Sequence, residues 1–201
     1  MTRRILMALF ALASSASVIL AQAPTTTSTG VVRPSASATS AVSGFRTDLL
    51  AHFDDVNKKI VDLAAAVPAE KYAWRPSPGV RSFSEVFVHI AAGDSLLPSF
   101  LGAPKLEGIN RDTEKTVTDK AKVIEILKAS IANARASIAN ASDADLDKRV
   151  KFFGRDVTQR WILLQMLSHA HEHLGQAIAY ARMNGIAPPW SEGPPAQPEK
   201  K

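Results

Sequence analysis

Three of the chain's five histidines fall within His169-Ala170-His171-Glu172-His173. The surrounding stretch, LLQMLSHAHEHLGQAIAYARMNG from Leu163 to Gly185, otherwise reads as an apolar helix. An unpaired buried polar group costs on the order of 1–3 kcal/mol, so imidazoles on a core face require partners. At about 100° per residue, Ile162, Met166, His169, His173, Ala177 and Tyr180 follow one stripe. His169 and His173 therefore stand one turn apart on the buried face, the i, i+4 spacing that lets one turn of helix offer two nitrogens to one metal ion. His171 lies about 200° around from His169 and is expected at the surface or in a groove.

Two ligands seldom make a tight site. A third is expected from RSFSEVFVHIAAGDSLL, where Ser82 and Glu85 form an S-x-x-E capping box opening a helix through His89. There His89 shares a face with Val86, Ile90, Gly93 and Leu97. The predicted metal ligands are His89, His169 and His173, with His52 left outside the site. Three imidazoles leave coordination positions open to water or substrate. They favour Zn2+ as the cofactor, with Ni2+, Fe2+ and Mn2+ also compatible, because imidazole discriminates weakly among these ions.

Several neighbours have two readings. Gln176, seven residues after His169, is either a hydrogen-bond partner of a ligand ring or metal-activated water, or a polar lining residue. Glu172 is a proton acceptor or an exposed ion-pairing group. Gly175 costs a helix about 1 kcal/mol relative to alanine, so close helix contact is expected there. Trp74, Trp161 and Tyr180 are pocket walls or plain core.

The elements that must position these residues are helical. Helix-period apolar stripes predict a first helix over about Gly44 to Val67 and a second from Ser82 to about Leu101, bent at Pro98. A third carries Val123, Leu127, Ile131, Ala134 and Ile138 and ends near Asn140. The fourth runs from Thr158, a plausible N-cap, to Met183, where Asn184-Gly185 supplies a left-handed cap and Pro188-Pro189 forbids continuation. A polar segment, GAPKLEGINRDTEKTV, joins the second and third. A short extended run is expected around Val150 to Phe153, with Gly154 as a turn. No strand-rich region or repeat is evident, and the fold class is all-α, a four-helix bundle whose interior suits a metal on facing helices.

Outside this domain, Arg3 and Arg4 precede an apolar run ending in Ala21-Gln22-Ala23, read as a signal peptide over residues 1–23, with cleavage after Ala21 as the competing site. An uncleaved anchor is the alternative, and Thr-Arg-Arg partly matches a twin-arginine signal. Residues 24–43, rich in Ser, Thr and Ala, read as a disordered linker, residues 44–190 as the domain, and 191–201 as a flexible Pro-rich tail. The chain is expected to be exported, periplasmic or secreted.

The absence of cysteine excludes disulfides, thiolate ligands, a cysteine nucleophile and a lipoprotein anchor. The formal charge of +5 counts Arg3 and Arg4; without them, 22 basic against 19 acidic residues leave +3. That is no nucleic-acid footprint. Lys148, Arg149, Lys151, Arg155 and Arg160 cluster as a solvated basic surface or an anion-facing patch. No stable membrane partner is expected, and the oligomeric state is open, a homodimer included.

The combination of RPSPGVRSFSEVFVHIAAGD with HAHEHLGQAIAYARMNGIAPP resembles the DinB-like superfamily of bacterial metal-binding four-helix bundles, which includes YfiT-type proteins. The resemblance covers roughly Gly44 to Trp190. Its signature, a histidine on the second helix and H-x-x-x-H-x-G-Q on the fourth, is matched by His89 and by His169, His173, Gly175 and Gln176. Glu172 departs from it, standing where many members carry a further histidine. The resemblance implies an up-down-down-up order, with a long connection between the second and third helices. It also implies metal-dependent chemistry on a small molecule, either hydrolysis or thiol-dependent transfer, or a non-catalytic metal- or ligand-binding module. Because low-molecular-weight thiols are chiefly cytosolic reductants, export favours water over thiol as the activated group.

Overall fold

The computed structural model describes residues 44–110 and 112–191. Four long helices dominate: α1 (Gly44–Ala66), α2 (Phe83–Leu96), α4 (Lys120–Asn140) and α5 (Gln159–Met183). A single short turn, α3 (Thr113–Thr116), lies between α2 and α4, and a hairpin of β1 (Arg149–Phe152) and β2 (Arg155–Thr158) precedes α5. The signal peptide, the linker and, beyond Ser191, the tail lie outside the described residues. Among the described residues no helix is long and apolar enough to cross a membrane.

Local chemistry sets the helix ends. Ser82 and Glu85 form the reciprocal capping box at α2: the Glu85 amide donates to Ser82 Oγ, and the Ser82 amide donates to the Glu85 carboxylate. Thr158 caps α5 by accepting from the Trp161 amide, Asp119 caps α4 by accepting from Lys122, and Gly185 takes the left-handed conformation after α5. The second helix is shorter than its apolar stripe suggested. It ends at Leu96, and Leu97–Leu101 continue as a 3-10 turn, because Pro98 has no amide to donate to the α-helical ladder. The extended run expected over Val150 to Phe153 is the first strand of a hairpin pairing Arg149–Phe152 with Thr158–Arg155. Phe153 is not in the strand; with Gly154 it forms the two-residue turn, and this one hairpin leaves the described residues mostly helical, in keeping with the all-α class.

Contacts along the helices fix their directions. Arg46 near the start of α1 reaches the Ala139 carbonyl at the end of α4 and Asp143 beyond it, while Lys120 at the start of α4 reaches the Ala65 and Val67 carbonyls at the end of α1. These two helices are antiparallel. On α2 and α5, Phe83 meets Tyr180 and His89 meets His173, with Gly93 against His169, so this pair is antiparallel too. Arg160 lies over the Phe45 ring where α5 and α1 both begin. The long helices therefore run up-down-down-up, and α1 and α2 each pack against both α4 and α5.

Two apolar clusters fill the interior. One gathers Val56, Ile60, Leu63, Phe83, Phe87, Val123, Leu127 and Ala177; the other gathers Leu49, Phe53, Ile138, Leu163 and Met166. Each fully buried Leu, Ile or Phe contributes about 1.5–3 kcal/mol relative to exposure. Such packing gives α2 and α5 the rigid relative placement that a shared site requires.

Candidate metal centre

The antiparallel contact of α2 with α5 brings His89, His169 and His173 together. Each offers one ring nitrogen, and these atoms all lie within 4.8 Å of one another. Ring centroids are 5.1 Å apart for His89 and His169, and 4.6 Å apart for each of the other two pairs. Nε2 of His169 is 3.3 Å from Nε2 of His89. Two nitrogens held at about 2.0–2.1 Å by a tetrahedral ion sit about 3.3–3.4 Å apart, so this pair already has the spacing of two ligands.

The outer faces of two rings are held. His89 Nδ1 donates to Glu114 Oε1 at 2.6 Å, and Arg81 Nε donates to the other Glu114 oxygen at 2.9 Å. His173 Nδ1 donates to Gln176 Oε1 at 2.9 Å, and Gln176 Nε2 donates onward to the Tyr180 hydroxyl, also at 2.9 Å. These bonds put the proton on Nδ1 and leave a lone pair on Nε2 of both rings, that of His89 facing His169 Nε2. Tyr180 is braced edge-on by Trp74 and Phe83.

His169 meets His89 through Nε2, but its Nδ1 edge is held by space rather than by a partner. A Cβ built on Gly93 would stand 2.3 Å from its Cε1 and 2.7 Å from its Nδ1. Only glycine at 93 lets the ring lie against α2. The buried Nδ1 of His169 has no hydrogen-bond partner among the described residues. Burial, followed by the neighbouring His173 and His89, pushes its pKa down to about 3. Burial likewise lowers His173, against the raising effect of Gln176. Burial would raise Glu114, but its bonds to His89 and Arg81 outweigh that and leave it below the usual carboxylate range. Three converging imidazoles, two of them kept neutral by burial, with an ionised carboxylate behind the third, form a donor set suited to a divalent cation, so the residues present fit the ion.

The chain matches the family model described as the DinB superfamily over residues 52–177. It belongs to the DinB superfamily. Solved structures share the fold, among them the following. A DinB-like protein from Bacillus cereus is 19% identical with TM-score 0.64, covering 72% of this chain and 96% of its own. A DinB-like protein from Bacillus subtilis is 22% identical with TM-score 0.57, covering 73% and 95%. A conserved protein from Enterococcus faecalis is 17% identical with TM-score 0.56, covering 68% and 95%. No curated protein matches the chain.

Within this DinB superfamily bundle, other candidate residues separate clearly. His171 is exposed, its Nδ1 donating to the Leu167 carbonyl at 3.0 Å, and His52 is exposed on α1. Glu172 is exposed and has no ion-pair partner among the described residues. Gln176 takes the ring-orienting role rather than a mere lining one. The close packing expected at Gly175 is absent: an added Cβ there meets nothing within 4 Å, and Gly93 is the glycine that the helix contact requires. Trp74 and Tyr180 brace the site, whereas Trp161 packs on Phe152 at the hairpin.

Glu114 escaped the sequence reading because it lies in the polar connection, where helical phase assigns no face. An Asx-type arrangement positions it: Asn110 Oδ1 accepts from the Asp112 and Thr113 amides, and Thr113 Oγ1 donates to the Gly108 carbonyl. The available signal was chemical, since a ligating histidine usually donates its other nitrogen to a carboxylate or carbonyl.

Proposed function

We propose that this chain is an exported metalloprotein that holds one divalent cation on His89, His169 and His173, with Zn2+ the first candidate, and acts on a small molecule as a metal-dependent hydrolase. The observation that carries the metal reading is the 3.3 Å spacing of the His89 and His169 Nε2 atoms, beside a third imidazole and with Nδ1 of His89 and His173 already engaged. Export is supported by Arg3 and Arg4 before the apolar run and by Ala21-Gln22-Ala23 at its end.

A bound cation supplies a Lewis acid that lowers the pKa of a water or thiol toward neutrality. The chain's own residues do the rest. Glu114 holds the His89 proton on Nδ1, Gln176 does the same for His173, and Gly93 admits the His169 ring. With no cysteine, the chain offers no thiol of its own. Export removes the main supply of small thiols, so water is the favoured co-substrate over thiol transfer.

Ester, amide and lactone substrates tested beside a thiol-transfer panel should give hydrolysis that disappears on chelation and returns with one divalent ion. Activity surviving complete metal removal contradicts the mechanism. A metal-loaded protein inert in both panels favours a non-catalytic metal- or ligand-binding module.

A further inference from the structure

His89 and His169 line one wall of a cavity of about 410 Å3, within the about 300–1,000 Å3 typical of small-molecule sites. Its other walls come from Leu96 at the end of α2 and Leu97 in the 3-10 turn that follows, Lys105 and Ile109 from the connection beyond, and Phe152 and Phe153 from the hairpin. Phe153 is anomalous in two respects. It is 72% exposed, and it adopts φ 47, the one non-glycine residue with positive φ among the described residues.

The turn explains the conformation but not the residue. Phe152 pairs with Arg155, leaving Phe153-Gly154 as a two-residue loop with both φ values positive. Such a turn favours Asn-Gly, because asparagine tolerates the left-handed region whereas a bulky side chain pays about 1–2 kcal/mol of steric cost there. The strain gains little burial. What it does achieve is to hold the ring 5.7 Å from Phe100 and 4.7 Å from Phe152, beside the cavity mouth. Strain held at an exposed aromatic beside a candidate site points to contact with a ligand.

Charge narrows the ligand further. All three candidate metal ligands are imidazoles, which carry no negative charge, so no coordinating carboxylate offsets a dication. Glu114, the lining carboxylate, is paired with Arg81, while Lys105 is exposed with no ion-pair partner among the described residues. With a dication held on the histidines the cavity would be net positive, and its walls are mostly apolar.

Building on the metal reading, we infer that this cavity selects a small organic anion with an apolar body, Phe153 forming the specificity wall against that body and Lys105 favouring the anionic group. The test compares phenylacetate with its neutral isostere phenylacetamide and with acetate, which lacks the apolar body. Binding is measured by calorimetry on zinc-treated and metal-free full-length protein, with zinc content determined separately. Phenylacetate should bind about tenfold more tightly than either comparator. Phe153→Asn, which suits the turn and should fold at least as well, should abolish the advantage over acetate without changing zinc content. Lys105→Gln should weaken phenylacetate and leave phenylacetamide unaffected. Equal binding of the three compounds by zinc-loaded protein, or variants that bind like the parent, overturns the inference. Failure to take up zinc instead refutes the metal reading, and the cavity inference is then decided by the same comparison in metal-free protein, where loss of the Phe153 dependence overturns it.

Discussion

Glu114 and Gly93 act on the histidines in different ways, one through a bond and the other through an absence. Replacing Glu114 by Gln removes the charge that stabilises the donated His89 proton while keeping the side chain's size. Outer-shell partners of this kind are typically worth about 10–100-fold in metal affinity, so Glu114→Gln should weaken zinc binding by that order in a chelator competition. Unchanged affinity would remove Glu114 from the site. Helical phase placed Gly93 on the His89 face without disclosing its role, and it did not mark Glu114 at all. The histidines were legible because helical phase sorts residues on a regular element, which also set His171 aside. Glu114 sits where no period operates, and the need for glycine at 93 exists only once α5 is packed against α2.

At the scale of elements, the two helix-interior glycines make opposite predictions. Gly175→Ala adds a methyl group to open space and should stabilise the fold by about 1 kcal/mol with metal content unchanged. Gly93→Ala carries the same helical benefit but puts its methyl into the His169 ring. It should keep helical content by circular dichroism yet lose most bound metal. Loss of metal in Gly175→Ala but not in Gly93→Ala would reverse the assignment. The four helices and their caps were legible because Ser82, Thr158 and Gly185 are strong boundary signals. The hairpin was only half legible: Gly154 announced the turn, but a phenylalanine beside it looked like strand. The 3-10 turn after Leu96 follows from Pro98, whose effect was readable as a bend but not as an end.

For the whole molecule, the interior holds an ionisable group outside the metal centre. Asp94 is fully buried on α2, and neither carboxylate oxygen has a partner among the described residues. Burial pushes its pKa up to about 8 from 3.8. The folded chain thus keeps a proton that the unfolded chain releases, and the associated stability is complete below about pH 4 and lost as pH rises through about 8. His169 and His173 have the opposite sign: their lowered pKa values cost stability as pH falls below 6.5. Denaturant titrations of metal-free protein between pH 6.5 and 8.5 should therefore show falling stability, and Asp94→Asn should flatten that slope. A parent protein with no slope in this window would show that Asp94 is ionised throughout.

The central claim, a metal held jointly by α2 and α5, is tested most directly by counting metal ions per chain in protein purified without a histidine tag, dialysed, and exposed to one equivalent of zinc. Close to one ion is expected per parent chain and per His171→Ala chain, and little or none in His89→Ala, His169→Ala or His173→Ala that retain their helical signal. Near-stoichiometric zinc in those three variants, or its loss only in His171→Ala, would contradict it.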